Sequence, residues 1–449
     1  MGRLFGTDGA RGVANSEISC ELAMNIGKAT AMVLTQSKNE KPKVLIGKDP
    51  RISGDMLEAA IACGLCSVGA DVMLLGVVPT PAVAFLVKHY GYDAAIMISA
   101  SHNPCEYNGI KIFKSDGYKL PDETEEEIEA IILDEVETPP IKTGAEVGRI
   151  SSCKTAVSDY ISHLKASVSC CFDGFNIALD CANGSSSVSA NELFTSLGAD
   201  CHVINAEPNG TNINKKCGST DMAELQKYVV DNKLDVGFAF DGDADRMLAV
   251  DENGEIVDGD KIIAICAEYL KEKGRLKNNT AVVTVMTNMG FYKFCDSRNI
   301  NYSATKVGDR YVLEEMLKEG YCIGGEQSGH VIFLDYASTG DGQLTALQLL
   351  QILAETRKPL SVLASCMTVY PQTMINVKVS KMGKARFPYD EEVKTAIKQA
   401  EKLLGDKGRV LVRVSGTEPL VRVMLEGEDL KQIETLALEI AEVIKTRLI

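Results

Sequence analysis

The sequence predicts an α/β protein, built as three successive α/β domains followed by a smaller C-terminal α+β domain. Three observations predict it. Short apolar runs alternate with stretches of helical periodicity through most of the 449 residues, the pattern of a parallel sheet covered by helices. That alternation restarts twice, which reads as an internal structural repeat. From Thr368 onward it gives way to strands paired through a tight turn with helices beside them. The length suits roughly three or four domains. We place them at residues 1–138, 155–254, 258–366 and 371–449.

The elements follow in order. Gly6-Thr7-Asp8-Gly9-Ala10-Arg11-Gly12 reads as a glycine-rich loop bearing one arginine. Such a loop lets backbone N–H groups approach a phosphate, although no P-loop lysine follows. Helical periodicity covers Glu21–Thr35, Asp55–Val68 and Pro81–Lys88, and strands are expected at Val44–Gly47, Val72–Leu75 and Ala94–Ile98. Gly109–Phe113 carries Lys111 in an apolar context, and Glu123–Leu133 is an acidic, solvated helix. Glu137–Gly148 holds Pro139-Pro140 and lacks any period, as a linker does. The second domain has strands at Asn176–Asp180, Cys201–Ile204 and Val236–Phe240, with helices at Ser158–Ala166, from Ser187 and at Asp221–Asn232. The third runs from the helix Gly259–Lys273 through the strand Ala281–Val285 to the helix Gly342–Glu355. The last has strands at Ile375–Val379, Arg409–Val414 and Leu420–Leu425, with helices at Asp390–Leu404 and Asp429–Arg447.

Composition narrows the function. The chain is 45% hydrophobic and 24% charged, enough for ordinary globular cores. No apolar run approaches the ~18 residues of a membrane helix. The start of the chain has no apolar signal region, and Gly6 stands where a myristoylation signal needs Ser or Thr. A cytoplasmic protein without a membrane partner is expected. A net charge of −15 argues against a nucleic-acid partner, though a local cluster of Arg and Lys can still hold an anionic substrate. The 14 cysteines are scattered through apolar segments, which suits reduced thiols. Cys63 and Cys66 form a lone C-x-x-C with no second pair nearby.

Four stretches carry chemistry. In the first, Ala94–Ile98 breaks into Ser99-Ala100-Ser101-His102-Asn103-Pro104. A serine is thereby lifted onto a loop at a strand's carboxyl end, where ligands of α/β sheets sit, and a neighbouring histidine could activate it. In the second, Asp241, Asp243 and Asp245 alternate directly after a strand. Carboxylates at i, i+2 and i+4 in a tight loop can converge on one hard cation. An EF-hand is excluded by Arg246 at the glycine position and by the flanking strands. Mg²⁺ normally keeps a substrate phosphate beside its carboxylates, so a phosphate ligand is implied. The third stretch, Gly324–His330, supplies His330 as a proton-transfer candidate beside Lys111. In the fourth, Arg413 and Arg422 flank Ser415-Gly416-Thr417, a set of hydroxyls, backbone and guanidinium forks suited to phosphate oxygens.

Taken together, these stretches resemble the α-D-phosphohexomutase superfamily from end to end. Its four signatures stand in family order: Ser-Ala-Ser-His-Asn-Pro, Asp-Gly-Asp-Ala-Asp-Arg, Gly-Glu-Gln-Ser-Gly-His and Arg-Val-Ser-Gly-Thr-Glu-Pro. Phe5-Gly6-Thr7-Asp8-Gly9 and Gln327 are similar to the bacterial branch acting on glucosamine phosphates. The sister branch acts on mannose and glucose phosphates. Ala244 departs from a position where glycine is also common, adding a methyl.

The resemblance implies a serine phosphoenzyme. Ser101 would be carried as phosphoserine, next to His102. Its phosphate and Asp241, Asp243 and Asp245 would hold one Mg²⁺, and Arg246 would draw charge from the transferring group. Glucosamine 6-phosphate would become glucosamine 1-phosphate by way of the 1,6-bisphosphate, which, or autophosphorylation, would also serve as primer. Lys306, Gly308, Asp309, Glu326 and Ser328 would contact the substrate. Arg413, Ser415, Gly416, Thr417 and Arg422 would clamp the remote phosphate. Lys111 or His330 would handle the hydroxyl proton, with Arg11 helping to hold the transferring group. Such turnover implies a central cleft shared by all domains, with a hinge around Tyr370-Pro371. A homodimer is the assembly to test. The rivals are a phosphatase with an Asp nucleophile and a silent phosphosugar sensor.

Overall fold

The computed structural model describes residues 3–6, 8–35, 41–415 and 419–449. They form two compact units, one of residues 1–286 and 300–366, the other of residues 287–299 and 367–449.

The first unit contains three sheets. One comprises β1 (Phe5–Gly6), β2 (Gly9–Val13), β3 (Lys43–Lys48), β4 (Asp71–Val77), β5 (Ala94–Ile98), β6 (Tyr107–Lys114) and β7 (Ile150–Ser152). The next holds β8 (Asn176–Asp180), β9 (Asp200–Ile204), β10 (Val236–Phe240), β11 (Met247–Asp251) and β12 (Ile256–Val257), and the third β13 (Thr280–Thr284), β14 (Asn301–Thr305), β15 (Ile323–Gly325) and β16 (Val331–Phe333). The expected repeat is visible in their order. The strands run β6-β5-β3-β4, β11-β10-β8-β9 and β16-β15-β13-β14. In each set three strands are parallel and the last, β6, β11 or β16, returns antiparallel. Parallel neighbours require crossover helices, which cover both faces. Hence β5, β10 and β13 are buried along their whole length.

Glycine sets one helix contact. In the helices Cys20–Thr35 and Gly54–Ser67, a Cβ on Gly27 would fall 2.7 Å from Ile61 O, and one on Gly64 2.1 Å from Met24 O. Only glycine permits this approach of backbones. The pair lies over a core that includes Ile26, Ile46, Ile61, Leu65 and Ile96.

Two readings of local structure change. The glycine-rich stretch Gly6–Gly12 is not a free loop; β1 and β2 pair antiparallel and β2 continues onto β6. Glycine freedom there serves close packing: a Cβ on Gly9 would lie 2.4 Å from Ile110 O. The strand β14 and the helix Met289–Arg298 were not legible. The first is a largely exposed edge strand of polar residues, and the second buries Phe291, Phe294 and Cys295 at helical spacing, but the ten-residue segment is too short for that spacing to repeat.

The second unit is an antiparallel sheet of β17 (Gln372–Lys378), β18 (Gly408–Val414) and β19 (Leu420–Gly427) in the order β17-β19-β18. Its helices Glu391–Leu404 and Leu430–Leu448 start at Asp390 and Asp429, whose carboxylates each accept two backbone N–H groups, as N-caps do. Ile433, Leu436, Ile440 and Ile444 recur at helical spacing and fill the core. Glu426, fully buried, accepts from Arg409 Nε at 2.6 Å and from Met289 N at 2.9 Å, which draws the helix Met289–Arg298 into this unit. Tyr370 is bracketed by Asn288 at 3.0 Å on both its backbone N and O.

Candidate active site

The three chemistry-bearing loops of the first unit occupy one topological position: each joins the antiparallel pair of its sheet, β5 to β6, β10 to β11 and β15 to β16. Three loops from distant parts of the chain therefore present side chains in the same manner.

Ser101 is 1% exposed and sits at φ 51°, a left-handed conformation that costs a residue with a Cβ roughly 1–2 kcal/mol. The surroundings hold it there. Ser101 N donates to Ser99 Oγ (2.9 Å), which in turn donates to Asp49 Oδ2 (2.6 Å). Asp49 also accepts Arg51 Nε at 2.8 Å, and the rest of that guanidinium donates to the carbonyls of Ser101, Asn103, Pro104 and Tyr107. Asn214 Nδ2 donates to the Ser101 carbonyl as well. Sequence reasoning missed Asp49 and Arg51. Their signal was a charged pair directly after the buried strand β3, which lies beside β5.

Ser101 Oγ donates to Asp241 Oδ2 at 2.7 Å, across 140 residues of chain. Asp241, Asp243 and Asp245 are buried, and one oxygen from each lies within 4.8 Å of the others. Burial, then repulsion from Asp245 and Asp243, pushes the Asp241 carboxyl well up. Asp245 is pulled well down despite burial, mainly by Lys111 and then His330. Among the described residues no hydrogen-bond donor reaches Asp243 Oδ1, although it is buried. An orphaned carboxylate oxygen in an all-oxygen trio fits a hard divalent cation.

The aspartate loop is gripped by its backbone. Ser185 N donates to the Gly242 carbonyl (2.8 Å), Thr80 N to that of Asp243 (2.9 Å) and Gly342 N to that of Ala244 (3.0 Å). The loop also contains a left-handed residue, Ala244 at φ 58°. The consequence of alanine there is thus backbone strain rather than the bulk of a methyl.

Lys111 is fully buried and lies 2.8 Å from Asp243, 3.0 Å from Asp8 and 3.6 Å from Asp245. Burial alone would discharge it, but these three carboxylates hold its pKa well above the ordinary value. Asp8 further binds Arg11 (2.7 Å) and Lys119 (2.5 Å), and Lys119 reaches Asp309 at 2.6 Å. Asp8 and Lys119 were not singled out in the sequence. His102 Nδ1 lies 3.3 Å from Ser101 Oγ and 2.9 Å from Arg246 Nη1. Burial, then Arg246 and Arg11, lowers its pKa to about 4, so the imidazole is neutral near pH 7. His330 Nδ1 faces Asp245 at 3.7 Å, and its Nε2 accepts from Gly340 N. Glu326 Oε1 accepts from Gly308 N at 3.1 Å, Lys306 lies over the Tyr311 ring, and Ser328 is exposed.

In the second unit, Arg413 and Arg422 are direct cross-strand neighbours on β18 and β19. Burial and the neighbouring Arg422 lower the Arg413 pKa, the mark of a pair of like charges suited to an anion. Ser415 N donates to Leu420 O at 2.9 Å. Gly416 and Thr417 lie outside the described residues.

Repeated sheets with a buried serine set against a carboxylate trio define a phosphotransferase architecture, and family comparison agrees. Models of the phosphoglucomutase/phosphomannomutase family match residues 2–138 (alpha/beta/alpha domain I), 158–254 (domain II), 258–370 (domain III) and 374–443 (the C-terminal domain). The chain belongs to this family. It is 56% identical over 447 residues to the phosphoglucosamine mutase of Clostridium perfringens, covering 100% of both chains. A phosphoglucomutase/phosphomannomutase family protein of Burkholderia thailandensis shares the fold with a TM-score of 0.83 at 24% identity, over 99% of this chain and 98% of that one. So does an Aspergillus fumigatus N-acetylphosphoglucosamine mutase solved with GlcNAc-6P and magnesium, with a TM-score of 0.69 at 16% identity, over 99% and 96%. No helix among the described residues is long and apolar enough to cross a membrane.

Proposed function

We infer that the chain is an isomerase of the phosphoglucosamine mutase type, interconverting glucosamine 6-phosphate and glucosamine 1-phosphate in the cytoplasm. The sugar product would feed UDP-N-acetylglucosamine synthesis. The observation that carries the reading is Ser101 Oγ, buried, held at φ 51° and 2.7 Å from Asp241. The full-length 56% identity to a phosphoglucosamine mutase selects the amino sugar over mannose or glucose phosphates.

In the forward direction the P–Oγ bond of phosphorylated Ser101 breaks as O1 of glucosamine 6-phosphate bonds to phosphorus. The O1 proton leaves and, over the step, Oγ gains one. After the 1,6-bisphosphate turns, Ser101 Oγ attacks the 6-phosphate and O6 takes the proton. Asp241 Oδ2 accepts the hydrogen bond of Ser101 Oγ and so orients it for that attack, while His330 would handle the hydroxyl proton. Lys111 is kept as an ammonium by its carboxylates, so its part is electrostatic, with Arg246 and Arg11, toward the charged phosphoryl oxygens. Asp241, Asp243, Asp245 and a phosphate oxygen on Ser101 would hold one Mg²⁺, which supplies Lewis-acid neutralisation of that charge. Glu326 and Ser328, with Lys306, Gly308 and Asp309, receive the sugar. Arg413, Ser415 and Arg422, with Gly416 and Thr417, receive the remote phosphate. The bisphosphate, or autophosphorylation, loads Ser101 initially, and a homodimer is the assembly to examine by sedimentation.

Intact-mass analysis tests this directly. Purified protein should carry a phosphate on the peptide holding Ser101, and that phosphate should pass to added glucosamine 1-phosphate. Retention of the phosphate, or faster turnover of mannose or glucose phosphates, would reject the reading.

A further inference from the structure

We propose that Thr80 is a positioning residue for the metal site, holding Asp243 so that its second oxygen is presented to a divalent cation. The inference rests on the reading of the aspartate trio as that site.

Thr80 opens the helix Thr80–His89 and is wholly buried. Its hydroxyl donates to Asp243 Oδ2 at 2.6 Å across 163 residues of chain, and its own N–H donates to the Asp243 carbonyl at 2.9 Å. One residue thus fixes both the backbone and the carboxylate of one aspartate. Lys111 Nζ approaches the same Oδ2 at 2.8 Å. The two donors saturate one oxygen and leave Oδ1 buried without a hydrogen bond among the described residues. A carboxylate held in this way has one rotamer and one available oxygen. Partners of this kind around metal ligands orient them and tune their basicity.

The backbone contact is one of three. The successive carbonyls of Gly242, Asp243 and Ala244 accept N–H groups from Ser185, Thr80 and Gly342, which lie in the segments matched as domains II, I and III of the family. Thr80 and Gly342 each stand at a helix N-terminus, where N–H groups are otherwise unsatisfied. Of the three, Thr80 alone adds a side-chain hydrogen bond to a trio carboxylate. Its contribution is therefore separable from that of the backbone grip.

Thr80→Val keeps the shape and the backbone N–H but removes the hydroxyl, whereas Thr80→Ser keeps the hydroxyl. Mn²⁺ binding, followed by electron paramagnetic resonance on the full chain without sugar, reads the effect apart from catalysis. Thr80→Val should weaken Mn²⁺ about 10- to 100-fold, Thr80→Ser should stay within about 3-fold of the parent, and the Mg²⁺ concentration for half-maximal turnover should rise in parallel. Equal Mn²⁺ affinity in the parent and Thr80→Val overturns the inference. So does an equal loss in Thr80→Ser, which would assign the effect to packing of the methyl. If the parent itself takes up no Mn²⁺, the metal reading falls and the inference with it.

Discussion

The serine loop and the aspartate loop stand at equivalent places in two sheets of the same order, yet they are held by opposite means. Around Ser101 a buried cation, Arg51, gathers four carbonyls, and its charge is met by Asp49. Around Asp241–Asp245 the carbonyls are gathered by neutral N–H groups, while the charges are left crowded and two carboxylate oxygens, Asp243 Oδ1 and Asp245 Oδ1, have no hydrogen bond among the described residues. The first loop is complete as it stands; the second could hold a cation. Both contain a left-handed residue that is not glycine, Ser101 and Ala244, so both depend on their surroundings to keep a strained backbone. Rigidity of Ser101 is built into the chain, whereas the charge of the trio is met in part by Lys111 and could be met further by a bound ion.

That contrast can be broken at several points. Ser101→Ala should cost the most, a loss of roughly 10⁴-fold or more in glucosamine 1-phosphate formation even with bisphosphate primer; phosphate release at the parent rate would instead indicate an Asp nucleophile. Stripping divalent ions with EDTA should follow, lowering turnover by about 10²- to 10⁴-fold, with recovery on adding Mg²⁺. Arg51→Lys removes the planar fork and should lower kcat by roughly 10²-fold through misplacement of Ser101. KM should hardly change, whereas a matching rise in KM would assign Arg51 to substrate binding. Arg413→Ala, in the second unit, should do the reverse, raising KM by about 10- to 100-fold for loss of a charged hydrogen bond. Ala244→Gly should have the smallest effect, raising stability by about 1 kcal/mol through relief of the left-handed alanine. Thermal unfolding would read this, and a lowered Tm would show that the methyl packs favourably.

Much of the fold was legible because its strands are short apolar runs and its helices have an apolar face; Ala94–Ile98 and Val236–Phe240 were found at their structural bounds. The edge strand Asn301–Thr305 escaped because edge strands lack the buried pattern. The N-terminal glycines were misread for a different reason. A glycine required by close packing against Ile110 looks the same in sequence as one required by a loop.

The candidate site divides in the same way. Ser101, the alternating aspartates, Glu326-Gln327-Ser328 and the two arginines are runs of neighbouring residues, so spacing along the chain already encodes their geometry. Thr80 and Lys119 carry no such mark. Thr80 meets Asp243 only because the end of β4 and the end of β10 converge in the folded chain, 163 residues apart. Local patterns are set by dihedral preference and side-chain period, which act over a few residues. Which buried charge faces which, and which carboxylate oxygen is left without a donor, is settled only when separate sheets pack and each polar group must find a partner away from water.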